Sequence, residues 1–340
     1  MALRRTLVST LKDEGPFILE WLAYHKVIGF NHFVIFSNDS TDGTTGILDC
    51  LHEAGEIMHI ENSAFTENEP ADPQTRAYKR AKMRKDVKQS EWVLVADGDE
   101  FLNIHAGNGS LDDLFAAMGN TDVISATWRI HGNSGVEKFT DGLVIDQFRK
   151  AADLAENTTQ RYWGFKTLFR PAGVRKFGVH RPKFAPRFLD DPSSITWRNG
   201  SGEVISEHVL KQGWRSQPET VGYDLVQMNH YMIKSSESFL MKRLRGTANS
   251  ADQNRIDFGY FQMFNANTVV DGSITRHIAA VQTEIKRMKL AAPGLDILHN
   301  AAVSEHQARI STARSEIAKT MPETAQSIGI TLTEVEKING

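Results

Sequence analysis

The stretch Trp92 to Leu102, WVLVADGDEFL, constrains this chain more than any other. The uninterrupted apolar run Trp92 to Ala96 is too apolar for a strand with one wet face, so it reads as a strand buried on both sides of a parallel or mixed sheet. It delivers Asp97 and Asp99 two residues apart. In extended backbone such side chains share a face, and paired hard carboxylates suit Mg²⁺ or Mn²⁺ carrying a diphosphate. The competing reading is an acidic turn in which Asp97 caps the next segment. Placement directly behind a buried strand favours the metal.

The elements before that strand set its context. Residues 5 to 11 form a short strand stopped by Lys12-Asp13-Glu14-Gly15-Pro16, and the apolar spacing of Phe17 to Ile28 predicts a helix with Pro16 in its first turn and Gly29 at its end. His32 to Phe36 is a second strand, Ser37 to Gly43 a polar loop and Thr44 to Ala54 a second helix, with a further strand over 56 to 60. Gln74 to Ser90 reads as one helix carrying seven Lys or Arg, a solvated face that also offers a peripheral contact to an anionic membrane. Val123 to Trp128, Leu143 to Phe148 and Phe165 to Phe169 look like strands. From Ser236 the pattern is helical, notably Ile274 to Leu290 and Ala301 to Thr320. Alternating helices and buried strands predict an α/β sheet whose ligands bind beyond the carboxyl ends of the strands. That organisation divides the chain into an α/β domain over 1–260 and a helical region over 261–340.

Composition removes several alternatives. With 340 residues, 40% hydrophobic and 24% charged, the chain is an ordinary globular one. Lys+Arg 39 against Asp+Glu 42 leaves a net charge of -3, which supplies no general field for nucleic acid. The lone Cys50 permits neither an internal disulfide nor a cysteine zinc site, which fits a reducing compartment. No secretion signal and no run of about 18 apolar residues is present, so the expected location is the cytoplasm, at the inner face of the membrane.

The loop Ser37 to Thr44, SNDSTDGT, follows the second strand. Asn38 and Asp39 there can bond a nucleobase or ribose, and Asp42-Gly43 gives a turn into the helix that Thr44 opens; a ligand-free solvated turn is the plainer alternative. Lys242, Arg243 and Arg245 form a basic cluster suited to clamping phosphates, or simply a solvated helix face. Trp128, Tyr162, Trp163, Trp197 and Trp214 are candidates for stacking on a sugar ring or for the core. The C-terminal helices, with Ile278, Val281, Ile285 and Met288 at helical spacing, pack on the core or form an oligomer contact.

Taken together, these motifs resemble the glycosyltransferases of GT-A fold related to family 2. Lys12-Asp13-Glu14-Gly15 with Phe17 and the Glu20-Trp21 to Tyr24-His25 helix, the SNDSTDGT loop and the VADGDEF strand end carry the resemblance. So do Trp128 with Gly132-Asn133-Ser134-Gly135, KTLFR over 166–170, GVHRPK over 178–183, and Asn229-His230-Tyr231 leading into KRLRG at 242–246. The similarity runs in one order over residues 5 to 260.

The resemblance implies a Rossmann-like mixed sheet flanked by helices, with a C-terminal helical extension. It implies transfer of a sugar from a nucleotide-diphosphate donor, UDP-sugar by preference, to a hydroxyl of a glycan or lipid-linked acceptor in cell-envelope glycan, glycolipid or exopolysaccharide synthesis. Mn²⁺ or Mg²⁺ would sit on Asp97, Asp99 and a downstream histidine, His230 before His180. Lys12, Glu14, Asn38, Asp39, Asp97, Arg243 and Arg245 would meet the donor. Inversion requires a carboxylate base. Glu203, Glu207, Asp141 and Asp224 are in the acceptor region, with Glu207 preferred beside Asp99 as a catalytic residue. The rivals are a sugar nucleotidyltransferase or metal phosphohydrolase on a related fold, disfavoured by the absence of a Gly-rich basic loop in LKDEGPF, and a nucleotide-binding interaction module.

Overall fold

The computed structural model describes residues 3–63, 69–155, 162–205, 213–245 and 256–332. Its strands are β1 Arg5–Leu11, β2 His32–Ser37, β3 Met58–Glu61, β4 Trp92–Val95, β5 Glu100–Ile104, β6 Val123–Ile130, β7 Lys150–Ala151, β8 Phe165–Phe169, β9 Val174–Phe177, β10 Pro182–Phe184, β11 Trp197–Arg198, β12 Val226–His230 and β13 Val269–Val270. Among the described residues nine of them form one mixed sheet in the order β3-β2-β1-β4-β8-β6-β12-β5, with β11 also paired to β6. β1 is parallel to both β2 and β4, whereas β8 runs antiparallel to β4 and β6, and β12 antiparallel to β5.

Both faces of the sheet are buried, as the apolar run in β4 requires. Leu7, Ile35 and Leu94 join one core cluster, while the alternate residues Val8, Val34, Val93 and Val95 join a second. The first cluster is covered by the helices Ile18–Val27, Thr44–Glu53 and Leu111–Met118, and the second by Pro73–Met83 through Ala77, Tyr78 and Ala81. The expected mixed sheet flanked by helices is therefore the architecture found.

The C-terminal helices extend the first cluster. Leu295, Ala302, Ala313 and Ile317 of Leu295–Thr320 belong to it, and that helix packs on Ser236–Arg245 and Thr44–Glu53, while Ile278–Ala291 packs on Ile18–Val27. Their apolar stripe is thus used within the chain. Among the described residues no helix is long and apolar enough to cross a membrane.

Three local expectations are corrected. The basic segment 74–90 is two helices, Pro73–Met83 and Lys85–Lys88, because Arg84 is extended. Nor is its basic face simply solvated: Arg76 is buried and donates to the carbonyls of Asn62 and Pro70, and Arg80 pairs with Glu69. Residues 143–148 hold a short helix, Val144–Gln147, rather than a strand. The buried Glu20 carboxylate accepts from the amides of Val144 and Ile145, which satisfies that helix's first N–H groups. Finally, Asp97 to Asp99 is a turn closed by a bond from the Glu100 amide to the Asp97 carbonyl, so the two aspartates do not project from one extended face.

Candidate active site

The turn after β4 sends its two aspartates to different partners. Asp97 accepts from Lys166 Nζ at 2.9 Å and from Gln74 Nε2 at 2.9 Å. Asp99 accepts from Lys242 Nζ at 2.7 Å through Oδ2, and His230 Nε2 stands 3.3 Å from Oδ1. Burial alone would raise the Asp99 carboxyl, but Lys242 and His230 outweigh it and hold it well below the ordinary carboxylate range. Asp99 is therefore an anion at neutral pH although only 8% of it is exposed.

Glu100, the next residue, fastens this arrangement from beneath. Its Oε1 accepts from the indole of Trp128 at 2.7 Å, its Oε2 lies 3.2 Å from Lys166 Nζ and also accepts from the Asp97 amide at 2.9 Å. Lys166 is fully buried, and burial alone would lower its amine; Asp97 and Glu100 reverse that and hold it above the ordinary lysine value. Burial raises Glu100 itself. The sheet creates this group: β8 brings Lys166, β6 brings Trp128 and β12 brings His230 alongside Glu100 of β5.

Lys242 connects the turn to a cavity of about 510 Å³ at the carboxyl ends of β1 and β2. Asp13 and Glu14 line it from the loop after β1, Thr41 and Asp42 from the loop after β2, and Lys234 and Lys242 from the segment after β12. The loops are stitched together: Asp13 Oδ1 accepts from the Thr41 amide, Asp42 Oδ2 from the Gly15 amide, and Thr44 Oγ1 from the Glu14 amide. Lys234 reaches within 3.4 Å of Glu14 and lies 3.9 Å from the Phe17 ring centroid. Asp13, Asp39 and Lys234 all have left-handed backbone, with φ of 51°, 52° and 58°. Such conformations persist in non-glycine residues only where the surroundings over-determine them, which is frequent at ligand sites.

The third wall is the helix Leu295–Thr320, which contributes Glu305, His306, Arg309, Thr312 and Glu316. Arg309 donates to the Thr41 carbonyl at 2.6 Å and to its hydroxyl at 3.0 Å. Nothing in the sequence pattern marks these residues as part of a site, because their helix reads as an ordinary one.

The expected site residues distribute unevenly over this geometry. Glu14, Asp97, Asp99 and His230 are brought to the cavity or the turn beside it. Asn38 bonds to Asp39 at 3.2 Å on the loop behind Thr41, with its own Oδ1 buried and unpaired. Lys12 is half-buried at the end of β1. Arg243 stacks on Phe258 at 4.4 Å instead of facing the cavity, the place expected of it being taken by Lys242. Glu207 and the side chain of Arg245 lie outside the described residues. His180 sits behind Trp128, stacked on Trp214 and bonded to the Phe165 carbonyl; burial lowers it to about 3. Trp197 is core, its indole bonded to Ser125. Lys166 stands in the KTLFR motif without a site signal of its own, and Lys234 and Gln74 carry no motif signal.

The donor set bears on the expected metal. Among the described residues no three His, Cys, Asp or Glu side chains converge as a complete shell. Asp99 Oδ1 and His230 Nε2 nonetheless stand at the spacing of two neighbouring ligands. Mg²⁺ sites that serve phosphates commonly keep one or two protein donors and complete the shell with phosphate and water. The residues present fit that partial set.

The model of glycosyltransferase family 92 matches residues 8–190, more than half of the chain. This is a family distinct from family 2, which the motif set resembles. Similar solved structures include S. aureus TarS residues 1–349, 14% identical over 92% of this chain and 90% of that one, with a TM-score of 0.34. The same TarS segment in complex with UDP is 13% identical over 92% and 91%, TM-score 0.32. LgtC in complex with donor and acceptor sugar analogs is 12% identical over 80% and 99%, TM-score 0.28. Scores this low leave the fold to rest on the strand order itself. No curated protein matches the sequence.

Proposed function

The chain belongs to glycosyltransferase family 92, and from that premise we propose that it transfers a sugar from a nucleotide-diphosphate sugar, UDP-sugar by preference, to a hydroxyl of a glycan or lipid-linked acceptor. One observation supports this reading above the others: the anionic Asp99, flanked by His230 and Lys242, stands beside a cavity built from the loops after β1 and β2. Its volume falls within the roughly 300–1,000 Å³ typical of small-molecule sites.

In this reading the nucleoside lies against the 13–14 and 38–42 loops, and Lys234 and Lys242 exchange their carboxylate partners for the diphosphate. Asp99 and His230 would hold Mn²⁺ or Mg²⁺, which supplies Lewis-acid neutralisation of the departing diphosphate when bound. Two lysines aimed at the leaving group stabilise charge that develops only as the sugar–phosphate bond breaks. Inverting transfer then forms the bond from acceptor oxygen to the anomeric carbon as the bond to the phosphate oxygen breaks. The acceptor proton passes to a carboxylate, for which Glu207 is the proposed base.

Synthesis of envelope glycan, glycolipid or exopolysaccharide at the inner face of the membrane is the proposed setting. An oligomer contact through the C-terminal helices would rest on the exposed Leu290 and Ile297.

The test is the thermal stability of the purified chain with UDP, GDP, CDP and dTDP, each with and without Mn²⁺, in wild type and Asp99→Asn. Ligand bound to the native state raises the midpoint by mass action. Selective, metal-supported stabilisation by one nucleotide that is lost in Asp99→Asn is expected. Absence of stabilisation by every nucleotide would overturn the transferase reading.

A further inference from the structure

The basic helices over 73–88 and the β9–β10 hairpin share one outer surface. The helix Pro73–Met83 sets Ala77, Tyr78 and Ala81 into the second core cluster, and the hairpin sets Val174, Phe177 and Phe184 into the same cluster. The two elements also touch each other, so they cover one face of the sheet side by side and turn their remaining side chains outward together. Lys79 and Met83, four residues apart, stand on the helix side opposite its buried stripe. Lys82 is half-buried beside them, and Lys85 and Lys88 are exposed on the short helix that follows. On the hairpin Arg175, Lys176 and Lys183 are exposed.

Among the described residues no carboxylate pairs with these cations. Asp86 is the only acidic residue in 73–88, and residues 174–184 contain none. Both Asp86 oxygens are taken by Arg84, at 3.0 and 2.8 Å, with His32 at 3.4 Å. The next acids in the chain, Asp190 and Asp191, come after the hairpin. Other surface cations do find partners, as Lys26 with Glu56, Lys289 with Asp296 and Arg309 with Glu305. Lys176 and Lys183 are moreover direct cross-strand neighbours. Like charges placed opposite each other destabilise a ladder, a cost that an anionic surface lying over the hairpin removes.

We propose that this face docks on an anionic lipid bilayer. Lysines supply all but one of its cations, and their compact point charges suit a diffuse layer of headgroups, whereas the arginine fork is the group for defined phosphate geometry. Met83 is 67% exposed among them and can enter the headgroup boundary as an apolar contact. Nucleic acid is the poorer match: among the described residues no aromatic side chain is one of the exposed large hydrophobic groups, so the face offers no stacking platform for bases. None of these cations lines the cavity beside Asp99. Docking therefore leaves that cavity open, and the proposal stands independently of the transferase reading.

Co-sedimentation of the full chain with vesicles of phosphatidylglycerol and phosphatidylcholine in equal parts, and with vesicles of phosphatidylcholine alone, tests this at low and at physiological salt. The hairpin variant is Lys176→Gln with Lys183→Gln, and the helix variant combines Lys79→Gln, Lys82→Gln, Lys85→Gln and Lys88→Gln. A control, Lys286→Gln with Lys319→Gln, removes the same charge as the hairpin variant from exposed positions of the C-terminal helices. Saturable binding to the anionic vesicles alone, weakened by salt, is expected in wild type and control. It should fall roughly tenfold in the hairpin variant and roughly a hundredfold in the helix variant, since each cation near the surface adds to the attraction. The hairpin variant carries the test if the helix variant does not fold. No binding to anionic vesicles, equal binding to neutral ones, an equal loss in the control, or tighter binding of a DNA duplex at the same salt overturns the proposal.

Discussion

Lys242 donates a 2.7 Å hydrogen bond to Oδ2 of Asp99 from 143 residues away in sequence. The contact joins the helix Ser236–Arg245 to the turn after β4, and it places an ammonium where a departing diphosphate would accumulate charge. Lys242→Gln should keep the fold, because Lys242 lines the cavity and is not part of the hydrophobic core. Loss of transition-state charge stabilisation should lower kcat about 10²-fold or more. Steady-state transfer assays checking kcat against KM decide it; a change confined to KM would assign Lys242 to uniform binding instead.

Arg309 ties the C-terminal helix to the loop that would hold the nucleoside, through both the carbonyl and hydroxyl of Thr41. Arg309→Ala should raise the donor KM roughly three- to tenfold with kcat little changed, since the loop contacts ground and transition states alike. Arg309→Lys should restore part of the loss. An unchanged donor KM in Arg309→Ala would show that the loop holds its shape without the helix.

The buried Lys166 neutralises Asp97 and Glu100 together. Lys166→Met should therefore cost about 3–5 kcal/mol of stability, the magnitude expected when a buried pair is broken and a charge left uncompensated. Urea unfolding of the variant measures it. Replacing Glu100 with Gln in the same background should recover part of the loss; additive losses would contradict the pairing.

Four buried histidines set the acid response. Burial lowers His25 and His180 to about 3, and His131 and His306 to about 4, below the ordinary value of 6.5. Their unfolded forms take up protons first, so the stability they contribute is complete above pH 6.5 and is lost as pH falls toward 4. Each contributes at most about 1.4 kcal/mol per pH unit in that window. Glu20 opposes them: burial raises it from 4.5 to about 7, so its contribution is present below 4.5 and declines as pH rises to 7. The histidines outnumber it, and the midpoint should fall from pH 6.5 to 4.5. Thermal melts across that range check the sign, and His25→Gln should flatten the slope.

The divide between what was legible and what was not follows the range of the interactions. The apolar run of β4, the helix after Pro16 and the strand-loop-helix around SNDSTDGT could be read because burial on both faces, turn chemistry and helical spacing are written in adjacent residues. The same run located Asp99, since ligands gather where parallel strands end. The local pattern of residues 143–148 reads as a strand, whereas the helix they form depends on Glu20, over a hundred residues earlier in the chain.

The sequence by itself therefore determined the α/β class, the position of the acidic turn and the list of polar loops near it. Only the tertiary structure decided that Asp97 and Asp99 serve different lysines, that Lys242 rather than Arg243 faces the cavity, and that Leu295–Thr320 forms its third wall. Backbone propensity and hydrophobic pattern act between near neighbours and leave their record locally. An ion pair or a cavity wall exists only once sheet order and helix packing bring distant residues within a few ångströms.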